Sequence, residues 1–268
     1  MFCRILFCCT LYLFFSANSQ LIINAKNKGG DVFKEFIEAN TTYDTISLDF
    51  MTADGTLVTH FVDSKNELQI FKLSLLPEDD LFQTGVINFC FVTRITKNEF
   101  ISSDAMSKLR QKNPSAMRHP EEQLPTSIYT MDVMLNARAS HLLSPHINSL
   151  CKTAKYSTFA EQADIKLLAQ IMNKNYSLLE ESMKKLPDIN GNHSACSHTS
   201  TETSPCICHL TVCVEWYPCG LKYCRGRDSQ SRVLNYRCGI KTCKKCSVFK
   251  HYVSSFLMCT WDEPKIVS

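Results

Sequence analysis

Cysteine is the residue type with the most chemistry to offer in this chain, and its spacing is uneven. Of fifteen cysteines in 268 residues, Cys3, Cys8 and Cys9 fall in an apolar N-terminal stretch. Cys90 and Cys151 stand apart in the middle. The other ten crowd the C-terminal part: Cys196, Cys206, Cys208, Cys213, Cys219, Cys224, Cys238, Cys243, Cys246 and Cys259. Such a cluster forms disulfides in an oxidising lumen, whereas in a cytosolic chain its spacing would suggest zinc. Both Cys206-x-Cys208-His209 and Cys243-x2-Cys246 have ligand-like spacing, so the compartment has to decide.

The N-terminus decides it. Arg4 precedes the apolar run Ile5 to Phe15, which is shorter than the roughly 20 residues needed to cross a bilayer as a helix. Ala17 and Ser19 are small residues at the positions signal peptidase reads for a cut before Gln20. Residues 1–19 are therefore expected to be a signal peptide, and the mature chain a secreted, extracellular protein with no membrane span. Removing the first three cysteines leaves an even number, which suits complete pairing into disulfides. Three N-x-S/T sequons begin at Asn40, Asn175 and Asn192 and would accept glycans on that route.

Other chemistry finds little footing. There is no GxSxG elbow, GxxxxGK[ST] loop, GxGxxG turn or HExxH frame. Paired carboxylates at Asp79-Asp80 and Glu121-Glu122 lie in polar segments where solvation explains them. The histidines at positions 60, 119, 141, 146, 193, 198 and 251 are scattered, and surface or capping roles are expected of them. No enzyme activity, metal or cofactor is expected. The formal charge of +3 is small, with lysine and arginine dispersed among acidic residues, so nucleic acid is not implied as a partner.

The elements that would position the cysteines read as follows. Alternating apolar and polar residues predict strands over Leu21–Asn24, Thr45–Phe50, Thr56–Val62 and Leu68–Leu75, with a turn at Ala53-Asp54-Gly55. Val86–Ile95 is the most apolar strand and should be central; it carries Cys90. Ser102 or Ser103 would cap a helix over Asp104–Gln111. Residues Ser115 to Thr126 read as a loop, Ser127–Leu135 as a strand, and Ser144-Pro145 as the start of a helix reaching Cys151. As the two cysteines of their region, Cys90 and Cys151 are natural partners. Phe159 to Leu186 reads as helix, break, helix.

The expected fold class is α+β. An N-terminal antiparallel sheet flanked by helices occupies residues 20–155, a helical segment 156–186 and a polar linker 187–205. A small, mainly β, cysteine-rich domain follows over 206–268. About 65 residues need covalent staples to stay folded on so small a core. In a strand, Cys206 and Cys208 are expected to point to opposite faces and to take different partners.

The chain resembles the Out at first proteins over nearly all of its mature length. The resemblance is carried by Gly55-Thr-Leu-Val58, Cys90-Phe-Val-Thr93, Met106-Ser-Lys-Leu-Arg-Gln-Lys-Asn-Pro114 and Leu143-Ser-Pro-His146. It continues in Pro205-Cys-Ile-Cys-His209, Trp216-Tyr-Pro-Cys219, Leu221-Lys-Tyr-Cys224, Cys238-Gly-Ile240 and Trp261-Asp-Glu263. It implies a secreted protein with eight C-terminal cysteines; Cys213 and Cys246 look like additions and suggest one extra bridge between them. Residues 20–155 also resemble a BRICHOS domain, with Asp63 as its shared aspartate and Cys90 and Cys151 as its cysteine pair. That second resemblance implies capture of extended polypeptide by a sheet face or edge. The alternative is a signalling ligand or modulator that docks a receptor through exposed aromatics of the cysteine-rich module, such as Trp216 and Tyr217. In either case the implied partner is an extracellular protein.

Overall fold

The computed structural model describes residues 19–26, 29–77, 85–96, 99–110, 113, 115–136, 139–187, 193–199, 201, 203–227 and 229–259. The expected signal peptide, apart from Ser19, lies outside these residues, as do Asn192, Asp79, Asp80 and Trp261.

A meander of antiparallel strands opens the fold: β1 (Ser19–Lys26), β2 (Val32–Asn40), β3 (Thr45–Met51), β4 (Leu57–Asp63), β5 (Leu68–Leu75) and β6 (Ile87–Arg94). Strand period two decides which side chains share a face. Ile37, Ile46, Leu48, Val58, Phe71 and Phe91 all lie in one buried cluster on one side. Leu68, Ile70, Cys90 and Val92 lie in a second cluster on the other. Strands β5 and β6 are thus buried on both faces, which is why their sequences read as nearly continuous apolar runs. The turn between β3 and β4 uses Gly55 at a φ of 83°, and Asp54 Oδ1 accepts from the Thr56 N–H at 3.2 Å.

Strand β2 is not among the strands that apolar alternation predicts. Lys34, Glu35 and Glu38 interrupt its apolar alternation, yet Glu35, Ile37 and Ala39 all face inward. The helix expected from Asp104 is shorter: α1 spans Ser103–Ser107, capped by Ser102, whose hydroxyl accepts from the Ala105 N–H.

The middle of the chain supplies further strands, two to this sheet and two to a second one. These are β7 (Met117–Arg118), β8 (Glu122–Gln123), β9 (Ser127–Met131) and β10 (Val133–Leu135). The single strand expected over Ser127–Leu135 divides at Asp132. Its first half joins a different sheet from its second, and Asp132 holds the crossing by accepting the Gln162 N–H at 2.7 Å and the Leu186 N–H at 2.8 Å. Next come α2 (Pro145–Cys151), β11 (Thr158–Ala160), α3 (Gln162–Ile171), α4 (Tyr176–Glu180) and β12 (Met183–Lys185). Residues 156–186 are therefore helical only in part: β11 and β12 complete a ten-stranded sheet in the order β12-β10-β11-β6-β5-β4-β3-β2-β1-β7. Pairing to the sheet outweighs helix propensity in these three-residue segments.

The C-terminal region is one long hairpin, β13 (Cys206–Arg227) and β14 (Val233–Val253), with β8 and β9 paired in parallel to β14. Its lower half lies over the sheet. Leu210, Val212, Val214, Trp216, Tyr217 and Phe249 belong to the same buried cluster as the inward residues of β1–β6. Phe249 stacks on Phe91 with ring centroids 4.5 Å apart. The other face of β5 and β6 is covered by Ile147 and Cys151 of α2 and Ile165 and Leu168 of α3. The architecture is sheet-rich with few helices, within the expected α+β class.

Candidate binding surfaces

The twelve cysteines that are described all pair. Cys90–Cys151 ties β6 to α2 with Cα atoms 5.7 Å apart. Cys196–Cys206 and Cys208–Cys259 close the base of the hairpin. Cys213–Cys246, Cys219–Cys243 and Cys224–Cys238 cross from β13 to β14. Among the described residues no group of histidine, cysteine and carboxylate side chains could hold a metal ion. Cys206 and Cys208 do take different partners, but the expected reason is corrected. Residues two apart in a strand share a face, and both sulfurs lie in one buried cluster with Cys196, Cys259 and Val253.

Glu35, His60 and His251 are ionisable side chains buried between sheet and hairpin. Glu35 of β2 is fully buried, and its Oε1 accepts from the N–H groups of Glu215, at 3.1 Å, and Trp216, at 3.2 Å. Those two donors are available because β13 bulges there: the register passes from Val214↔Lys245 to Tyr217↔Cys243, setting two residues against one. Burial pushes the Glu35 carboxyl up to about 8, against the pull of its two hydrogen bonds. His60 and His251 correct the surface role expected of them. Both occupy inward strand positions, His60 between Val58 and Val62 on the face where it stacks on Phe71 at 3.9 Å. Burial lowers them to about 3 and about 4 respectively, so both are neutral near pH 7. His60 Nε2 meets Gln69 Oε1 at 3.1 Å, whereas neither ring nitrogen of His251 has a hydrogen-bond partner among the described residues.

Asp63 is buried at the end of β4. Its Oδ1 accepts from the Asn66 N–H at 3.0 Å and its Oδ2 from Asn66 Nδ2 at 2.7 Å, and His146 Nε2 of α2 lies 3.9 Å from Oδ2. It holds the β4–β5 turn against α2. Asn40 Oδ1 accepts from the N–H groups of Thr42 and Tyr43, and Asn175 caps α4 through Oδ1 accepting from Ser177. Neither set of bonds uses Nδ2, the atom a glycan would join. Trp216 and Tyr217, expected as docking aromatics, are buried in the shared core, because the hairpin lies on the sheet instead of standing apart.

Among the described residues, two open surfaces bear on binding. The first is the outer face of the sheet over β2–β5. A concavity of about 800 Å³ there is lined by Lys34, Phe36, Asp49, Met51, Leu57 and Lys72, among others. Its polar groups are partly engaged: Asp49 Oδ1 accepts from Thr59 Oγ1 at 2.5 Å, and Lys34 Nζ lies 5.4 Å from the Phe36 ring centroid. Met51 and Leu57 are about half exposed. The second is the distal arm of the hairpin, where residues 232–239 and most of 222–227 are exposed. The arm also corrects the expectation of dispersed charge: Lys222, Arg225, Arg227, Arg232, Arg237 and Lys241 gather in one hairpin.

The family model described as "Out at first" matches residues 19–168, and that described as "Out at first, C-terminal" matches residues 195–263. The chain belongs to the Out at first family. It is 41% identical over 256 residues to the Out at first protein of Drosophila virilis, covering 92% of this chain and 83% of that one. It is 40% identical over 259 residues to the Out at first protein of Drosophila melanogaster, covering 93% of this chain but only 53% of that one. The chain thus spans about half the length of the D. melanogaster relative. No solved structure matches it.

The residues that carried the family resemblance fall at structural joints. Gly55-Thr-Leu-Val58 leads from the β3–β4 turn into β4, Cys90-Phe-Val-Thr93 lies in β6, and Leu143-Ser-Pro-His146 caps α2. Trp216-Tyr-Pro-Cys219 spans the bulged segment of β13. Motif and alternation alone do not single out Glu35. The signal for it was available: a glutamate two before Ile37 and four before Ala39 sits on the apolar face of any strand drawn through them.

Proposed function

We propose that this Out at first protein is a secreted, glycosylated, disulfide-stapled binding protein that captures extended polypeptide on the open face of its sheet. The observation that carries this reading is the uncovered concavity over β2–β5. It sets exposed apolar side chains, Met51 and Leu57, beside Lys34, Asp49 and Lys72 on a rigid pleated surface. Such a surface suits a chain that offers alternating apolar and polar side chains. Six disulfides and the absence, among the described residues, of a helix long and apolar enough to cross a membrane fit an extracellular location. Out at first is not the name of an enzyme, and the two open surfaces present groups for contact instead of a nucleophile and its base.

Residues 20–155 read as a BRICHOS-like unit, supported by the Cys90–Cys151 bridge, the helix beside it and the buried Asp63. Residues 156–186 then extend that unit, 187–205 connect, and 206–268 form the cysteine-rich part, which works with the sheet through their shared core. In a second reading the cysteine-rich hairpin docks a receptor. It is favoured by the exposure of Tyr223 and Tyr236 on the arm, in place of the buried Trp216 and Tyr217.

The test uses full-length protein purified from the medium of expressing cells. Intact mass should place its N-terminus at Gln20. Added below equimolar amounts, it should lengthen the lag of fibril formation by an unrelated amyloid peptide, and M51D/L57D should lose most of that effect. No delay at equimolar protein overturns the capture reading.

A further inference from the structure

The distal arm of the hairpin carries more charge than the whole chain. From Leu221 to Lys241 it holds six basic residues against one acid, a net of +5, while the full sequence is +3, so everything outside the arm is net −2. The arm has little else to explain it. Its residues do not belong to the shared core beyond Leu221 and Ile240, which are only partly buried against it.

Pairing in the ladder sorts the side chains. Directly paired residues of an antiparallel ladder share a face. Tyr223↔Arg237, Arg225↔Asn235 and Arg227↔Val233 therefore place three arginines and a tyrosine on one face. Arg225 and Arg227 are two apart in one strand, roughly 7 Å along it, with Arg237 across the ribbon beside Tyr223. The opposite face holds the Cys224–Cys238 bridge and Tyr236. A Cβ at Gly226 would come within 3.1 Å of Tyr236 Cε1, so this glycine admits the ring against the backbone. One face is built as a staple and the other presents guanidinium groups.

The charges near the base of the arm are already matched: Lys222 pairs with Glu121, and Lys241 with Glu122. Arg225, Arg227 and Arg237 make no ion pair among the described residues. Three guanidinium groups without an ion pair among the described residues repel one another on a cross-linked ribbon, and a row of anions relieves that repulsion.

We propose that this arginine face binds a sulfated glycosaminoglycan chain. Guanidinium forks match the planar oxygens of sulfate in bidentate fashion, and a linear polyanion matches a row of them. The choice of a sulfated polysaccharide over other polyanions rests on the extracellular location proposed above; it does not depend on polypeptide capture by the sheet.

The test is retention of the full-length, disulfide-intact protein on immobilised heparin. Replacing the three arginines (R225A/R227A/R237A) should lower the salt needed for elution and reduce the dependence of log affinity on log salt by roughly one per arginine. K222A, which removes an already paired charge, should shift elution far less. The proposal is overturned if the triple variant, folded by circular dichroism, elutes with the wild type. It is equally overturned if desulfated heparin, duplex DNA or vesicles rich in phosphatidylserine compete as well as heparin does. Binding in this assay needs no secretion, so a protein retained in cells that still binds heparin through the arm would count against the extracellular reading alone.

Discussion

Glu35 shows how one side chain joins two distant parts of the chain. Its carboxyl satisfies two bulge N–H groups 180 and 181 residues later in sequence, and it does so almost free of water. Unpaired buried N–H groups cost about 1–3 kcal/mol each, so the contact locks the hairpin's bulge against β2. The penalty appears in the pH dependence. The folded carboxyl titrates near 8 and the unfolded one near 4.5, so the folded state holds a proton that the unfolded state releases. Stability must then fall as pH rises from 4.5 through 8, by ~5 kcal/mol at most. His60 and His251 act in the opposite direction, because their folded values lie below 6.5 and stability is lost as acid charges them in the unfolded chain. The thermal midpoint of the wild type should therefore decline between pH 7 and pH 9. Glu35→Gln, which keeps an acceptor oxygen but cannot ionise, should stay level over that interval; a parallel decline in the variant would mean that Glu35 is not the titrating group.

At the scale of elements, what was legible followed from strict alternation. The strands β3, β4 and β5 and the central position of β6 could be read because burial on one or both faces leaves a regular apolar mark. β2 could not, because its inward glutamate is matched by donors from β13 that no local pattern announces. β11 and β12 escaped for another reason: each is three residues long and is a strand only through its neighbours. The cross-link between elements is more predictable in effect. Cys90–Cys151 closes a loop of about 60 residues between a strand and a helix buried together, which the chain-entropy estimate values at about 4 kcal/mol. C90A/C151A should lose stability of that order in denaturant titration with the other five bridges intact, and an unchanged midpoint would show the bridge to be energetically idle.

For the whole molecule, the decisive fact is that hairpin and sheet share a core. Ile46, Leu48, Phe71 and Phe91 are buried in the same cluster as Val214, Trp216 and Phe249. A chain ending at residue 187 would uncover that entire face. It should be recovered mainly in aggregates or bind a hydrophobic dye strongly, whereas a chain lacking only the exposed arm beyond Lys222 should fold with the wild-type near-ultraviolet spectrum. A soluble, dye-silent truncation at 187 would show that the sheet is closed without its hairpin. The two family models meet the chain on either side of residues 169–194, but packing runs straight across that division.

By itself the sequence determined family membership, the even set of twelve cysteines from Cys90 onward and the principal strands. Each is written locally, in motifs, counts and a period of two. Only the tertiary structure decided which face of the sheet stays open, where Trp216 and Tyr217 go, and why Glu35 is tolerated inside. These depend on which distant surface arrives to cover a face, and a strand carries no local mark of its cover. The same holds for charge: lysines and arginines that look dispersed along the chain become a single arginine face only when β13 and β14 pair.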